Sequence, residues 1–166
     1  MRGIPVCAGF ALAFAAPVTA QDDVAHGDPH DAVIAGADAF FEALRSDDKT
    51  ALARAMHPGA TIYIHDRMVP GAPETVVVAV ADHLARWAGT PKGLDERMTY
   101  ATVLVDGDMA QVWGPYRFMI GDRTTHCGIN SLSMVLTEGG WKVANTSFTM
   151  EPPSECDRLG APGVGE

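Results

Sequence analysis

The sequence predicts an α+β domain, and three observations carry that prediction. Between Asp31 and Trp87 apolar residues recur at three- and four-residue steps, the stripe of amphipathic helices. From Met98 onward, long stretches are rich in β-branched and aromatic residues. Asp106-Gly107, Gly121-Asp122 and Glu138-Gly139-Gly140 divide those stretches as tight-turn signals. Helices first and a strand meander afterwards is the order of an α+β domain rather than of alternating βαβ units.

Residues 1–20 stand apart from that domain. Arg2 supplies a positive start, Val6 to Ala16 is uncharged and apolar, and Val18-Thr19-Ala20 puts small side chains before the polar Gln21-Asp22-Asp23. The apolar core is about eleven residues, where a membrane span needs roughly twenty. A secretory signal peptide cleaved near Ala20 is expected, and with it export to a periplasm or the medium. An uncleaved anchor or a buried N-terminal helix is the alternative. Residues 21–30 are polar and read as a flexible leader. His26, Asp28, His30 and Asp31 have the chemistry of metal ligands, but a solvated leader is the plainer reading, and no metal site is expected.

The domain is expected over residues 31–150. Val33, Ala37, Phe40, Phe41 and Leu44 mark the first helix. Asp48 to Met56 fits a second, stopped by His57-Pro58-Gly59. Ala60 to His65 reads as a strand and Met68 to Pro73 as a loop. Val76 to Trp87 is expected to be a third helix, because Val80, Leu84 and Trp87 share a face, with Gly89 and Pro91 ending it. Four strands follow: Met98–Val105, Met109–Ile120, Arg123–Thr137 and Trp141–Met150. Pro152-Pro153 closes the sheet, leaving residues 151–166 as a tail, disordered from Gly160 apart from a tether at Cys156.

Without the signal, roughly 146 residues carry eleven Lys plus Arg against twenty-one Asp plus Glu. That is enough chain for one domain with a real core, and the acidic balance argues against nucleic acid or an anionic membrane as partner. Cys7 leaves with the signal, so Cys127 and Cys156 are the cysteines of the mature chain. In an oxidising compartment they are expected to pair. A buried thiol at Cys127 and a loose one at Cys156 is the alternative.

The element order, and local stretches within it, resemble the nuclear transport factor 2-like superfamily, which includes ketosteroid isomerases and polyketide cyclases of the SnoaL type. The stretch Leu52–Ala60 (LARAMHPGA) looks like that group's helix, His-Pro, strand junction. Gly140-Trp141-Lys142-Val143 looks like the opening of its last strand. Val112–Phe118 (VWGPYRF), His126–Asn130 (HCGIN) and a Cys soon after the last strand together resemble an exported, lumazine-binding-like branch. The resemblance implies a curved antiparallel sheet wrapped around three N-terminal helices, a cone open to a small, mostly apolar molecule, and a homodimer. None of these motifs is a catalytic signature.

Strand alternation sorts the candidates for chemistry. His126 and Asn130 share a face with Gly128, Leu132 and Met134, opposite Cys127. His126 is the leading acid/base candidate, since its ordinary pKa lies near neutrality. Asn130 is placed to donate to a carbonyl or oxyanion. Asp66 would serve as a base if it points into an apolar cone, although a turn Asp is the plainer reading. Tyr63 and His65 end the same strand on the opposite face from Asp66. Trp87, Tyr100, Trp113, Tyr116 and Phe118 are candidate aromatic walls, and Arg117 a candidate carboxylate clamp. Each has a plainer reading as core or rim.

No HExxH, paired CxxC, phosphate-binding Gly loop, GxSxG or dinucleotide fingerprint is present, so no cofactor is expected. Three functions are open at this point. One is an exported domain binding a small apolar or aromatic molecule. Another is a cofactor-independent isomerase, dehydratase or cyclase using His126 or Asp66. The third is a dimeric interaction module.

Overall fold

The computed structural model describes residues 28–164. The expected signal peptide and the leader through Gly27 lie outside the described residues. Asp28 caps the first helix, α1 (Pro29–Arg45), by accepting a hydrogen bond from His30 N at 2.9 Å, and Pro29 sits in the first turn, where its missing N–H is no loss. The helix therefore starts two residues before the expected Asp31. Asp31 in its first turn and Arg45 in its last complement the helix dipole. Its buried stripe is the expected one: Val33, Ala37, Phe40, Phe41 and Leu44.

The expected second helix shrinks to one turn, α2 (Ala51–Ala55), and Met56 already begins β1 (Met56–Asp66). His57-Pro58-Gly59 does end the helix, but as a bulge inside a strand. Met56 pairs with Val143 and Thr61 with Asn145, so five steps of β1 match two of its neighbour and the intervening exposed residues loop out.

The third helix also starts late. Glu74–Ala79 forms an edge strand, β2, paired antiparallel with β1, and α3 is confined to Val80–Trp87. Val76-Val77-Val78 decides this: three β-branched residues lose rotamer freedom in a helix and pack well on a pleated surface. The expectation of three helices inside the sheet is corrected accordingly. One helix of 17 residues does most of the filling, with one short turn and a two-turn helix beside it.

The expected strand Met98–Val105 is two strands, β3 (Leu94–Met98) and β4 (Thr102–Asp106), both antiparallel to β5 (Met109–Ile120) at different segments. The link between them folds over Gly114, where Thr99 O lies 1.8 Å from the position a Cβ would take. Only glycine permits that approach. β6 (Arg123–Thr137) and β7 (Gly140–Met150) complete the meander within a residue of expectation.

The sheet runs β2-β1-β7-β6-β5-β3, with β4 also on β5, and its ends do not meet. It is not wholly antiparallel, because β1 lies parallel to β7. No tight turn joins those two strands, so no hairpin dictates their direction. The core lies between α1 and the inward residues of the curved sheet, among them Ile62, Val112, Leu132, Met134 and Val143. Each such buried aliphatic side chain contributes about 1.5–3 kcal/mol.

Cys127 and Cys156 are bonded, with Sγ atoms 2.11 Å apart. The tail beyond them is ordered through Val164, against expectation. Pro153–Glu155 forms a single 3-10 turn and Cys156–Leu159 a short helix, α4, capped by Gly160 in the left-handed region. Arg117 Nε then donates to Pro162 O, holding the tail on the outer sheet face. Among the described residues no helix is long and apolar enough to cross a membrane.

The bond closes a loop with a sequence separation of 29. Chain entropy assigns such a loop about 3–4 kcal/mol. Urea denaturation of Cys156→Ser should show a loss of about 3 kcal/mol against the oxidised protein; an unchanged midpoint would remove the bond from the protein's stability.

Candidate functional site

A cavity of about 150 Å³ lies between α1, α3 and the inward face of the sheet. Alternation along each strand decides what lines it. β1 turns Ile62 inward, β5 turns Tyr116 and Phe118, β6 turns His126 and Asn130, and β7 turns Thr146 and Phe148. Phe40 and Leu44 enter from α1, His83 and Trp87 from α3, and Met150 closes one end. The walls are therefore aromatic. Phe118 stacks on the imidazole of His126 (4.9 Å, 16°), while Tyr116 meets His126 and Phe148 edge-on at 5.8 and 5.9 Å.

Three of the polar groups form a short relay. Thr146 Oγ1 donates to Asn130 Oδ1 at 3.0 Å, and Asn130 Nδ2 donates to Glu96 Oε1 at 3.2 Å. This arrangement leaves Glu96 Oε2 to carry a proton. Glu96 is protonated because burial pushes its carboxyl up to about 8, against the smaller pull of Asn130 and of Arg45.

His126 is displaced the other way. Burial lowers it to about 4, with the Asp66 carboxylate opposing the shift, so the ring is neutral at pH 7. Thr125 Oγ1 is hydrogen-bonded to His126 Nδ1 at 2.9 Å and lies 3.3 Å from Phe118 O. Tyr116 is not free to act: its hydroxyl donates to Thr149 O at 2.8 Å, and burial raises its pKa well above the phenol range. Gly128 admits that carbonyl, since a Cβ there would lie 1.9 Å from Thr149 O.

Of the residues singled out in the sequence, His126, Asn130, Trp87, Tyr116 and Phe118 line this cavity. The others do not. Asp66 Oδ1 accepts from Met68 N (2.8 Å), the turn role that was its plainer reading. Tyr63 and His65 lie on the outer face, His65 between Thr75 and Ser147 hydroxyls at 3.1 and 3.0 Å. Trp113 is 49% exposed on the same side of the sheet. Tyr100 donates to Asp38 at 2.6 Å and braces α1. Arg117 is buried under the tail, on Pro162 O and Thr124 Oγ1, so it clamps the chain's own carbonyl.

Glu96 was not anticipated, because the strand holding it was expected to begin at Met98. The signal for it is the parity of Leu94, Glu96 and Met98: an acid between two apolar residues that both pack on the core.

Glu96 has a measurable signature. Folded, it stays protonated up to about pH 8; unfolded, it ionises above 4.5. The folded state then holds the extra proton between those values, so stability falls as pH rises through that window. His126 works in the opposite sense, its contribution complete above 6.5 and lost as pH falls through about 4. Between pH 6.5 and 8 the Glu96 slope stands alone of the two. Urea denaturation should show the native protein losing about 1–2 kcal/mol across that interval, and Glu96→Gln losing little. Equal losses in both would exclude Glu96 as the source.

No family model matches the chain, and no curated protein matches it. Solved structures do. An NTF2-like protein from Cytophaga hutchinsonii is 16% identical, covering 75% of this chain and 99% of its own at a TM-score of 0.58. NTF2-like proteins of unknown function from Shewanella oneidensis (15%, 74% and 99%, TM-score 0.56) and Silicibacter pomeroyi (20%, 72% and 93%, TM-score 0.55) are similar in the same way. At these identities the likeness concerns architecture alone: the chain has the NTF2-like fold, an α+β layer with a curved, unclosed sheet.

Proposed function

We propose that the protein is an exported binding domain for a small, uncharged, mostly apolar ring compound held in the cavity between α1, α3 and the sheet. The observation carrying this reading is a cavity of about 150 Å³ with aromatic walls and a polar relay ending in a neutral carboxyl. A space of that size takes about six to ten heavy atoms, against roughly 300–1,000 Å³ for drug-sized ligands. Steroid-sized molecules are therefore poor candidates. The fully buried Cys127–Cys156 bond supports export, since such bonds persist in oxidising compartments.

A second reading, proton transfer, draws on one specific feature. His126 and Glu96 line the same cavity with pKa values displaced in opposite directions, a neutral base facing a neutral acid near pH 7. Its signature would be protein-dependent deuterium exchange at the α-carbons of cyclohexanone in D2O, absent in His126→Ala. No exchange above buffer would eliminate this second reading without touching the first.

Thermal shift with toluene, indane and cyclohexanone tests the binding reading. These single-ring or small bicyclic probes should raise Tm in a saturable way, and a steroid should not. Leu44→Phe, which adds bulk to the cavity wall, should weaken the response about tenfold or more. Failure of all three probes, or an undiminished response in the variant, would count against the site.

A further inference from the structure

One oxygen in the cavity wall is left for a ligand to meet. Asn130 Nδ2 takes Glu96 Oε1 at 3.2 Å, while Oε2 has no hydrogen-bond partner among the described residues. Trp87 Nε1 in the same wall is unpaired too, but it is shut off from solvent, as Oε2 is not. Cations stand near Glu96 without reaching its carboxyl. From α1, Arg45 Nη1 donates to the backbone oxygen Glu96 O at 2.9 Å, and Lys49 Nζ rests 5.1 Å from the Trp87 centroid; neither residue lines the cavity. Asp95 and Arg97, its neighbours on β3, pair with each other at 2.8 Å. Inside the cavity the other titratable groups are Tyr116, whose hydroxyl is committed to Thr149 O, and His83 and His126, both lowered by burial toward their neutral forms. The cavity thus holds one acid and no fixed cation to pair with it.

We infer that the cavity selects a small ring compound carrying a basic nitrogen, and that Glu96 is the specificity-determining residue, passing its proton to the amine and holding the ammonium as an ion pair. The inference rests on the binding reading above and narrows it from ring compounds in general to ring amines, uncharged as the free base. The step balances: the Oε2–H bond breaks, an N–H bond forms on the nitrogen lone pair, and ammonium and carboxylate remain with no net charge. Asn130 Nδ2 already donates to the carboxylate that results. A lone charge would be costly here, but this one is paired and hydrogen-bonded. The aromatic walls agree with the choice, since ring faces attract a cation and repel an anion. So does the raised carboxyl of Glu96, which burial keeps protonated in the absence of a partner.

The test compares benzylamine with ethylbenzene, which matches its shape without the nitrogen, and with benzyl alcohol, which hydrogen-bonds but takes no charge. All three are titrated calorimetrically into the full mature chain at pH 7. The native protein should bind the amine about tenfold more tightly than either of the others. Glu96→Gln, whose amide oxygen still accepts from Asn130, should bind amine and ethylbenzene alike. A second measurement needs no variant. Benzylamine and Glu96 are both protonated at neutral pH before they meet, so forming the pair releases one proton to water. Amine affinity should therefore rise about tenfold from pH 6 to pH 7, with ethylbenzene affinity unchanged. Benzyl alcohol or ethylbenzene matching the amine, a preference that survives in Glu96→Gln, or an amine affinity indifferent to pH would overturn the inference and leave the binding reading intact. Binding of none of the three would overturn both.

Discussion

The bond from Asn130 Nδ2 to Glu96 Oε1 joins β6 to β3, two strands that are not neighbours. With β5 between them, their backbones in a flat sheet would stand about 10 Å apart. Inward side chains meet across that gap because the sheet curls, and the curl exists because α1 presents a full stripe of Val33, Ala37, Phe40, Phe41 and Leu44 to be covered. Curvature around one helix is thus the constraint behind the rest. It brings α3 over the sheet, encloses the cavity, and places an acid where burial pushes its carboxyl up to about 8.

What the sequence makes legible follows from how local each signal is. The β5–β6–β7 meander is readable almost to the residue, since Asp106-Gly107, Gly121-Asp122 and Glu138-Gly139-Gly140 fix hairpins within a few positions. Pairing between distant segments has no such marker. Nothing near Ala60–His65 says that this strand lies parallel to the last one, and nothing near Met98 says that Thr99 O must pass over Gly114. The helical reading of Val76–Trp87 failed for a related reason. The face shared by Val80, Leu84 and Trp87 is real, but Val76–Val78 answers to β1 instead.

The site divides along the same line. Alternation within β5 and β6 separates Tyr116, Phe118, His126 and Asn130 from Trp113, Arg117 and Cys127, and the structure keeps those groups apart. Alternation cannot say which group faces inward, so it does not separate Trp113, Tyr63 and His65 on the outer face from the residues of the cavity. A bulge at Thr125, between the pairs Phe118–His126 and Met119–Thr124, shows how quickly parity is reset along one strand. Residue type predicts role least well for Arg117 and Tyr100, which look like ligand-binding groups and instead hold the tail and α1.

The parallel pairing of β1 with β7 bears on how the chain reaches its native state. Residues 56–66 pair early with β2 but reach their parallel partner only when residues 143–150 exist, and the covalent tether at Cys127 waits for Cys156. Contacts of such sequence separation slow folding, because loop closure must precede the contacts that reward it. α1, made first, spends that interval with its apolar stripe uncovered. A chain emerging from its N-terminal end therefore completes its sheet only when its last strand arrives between β1 and β6.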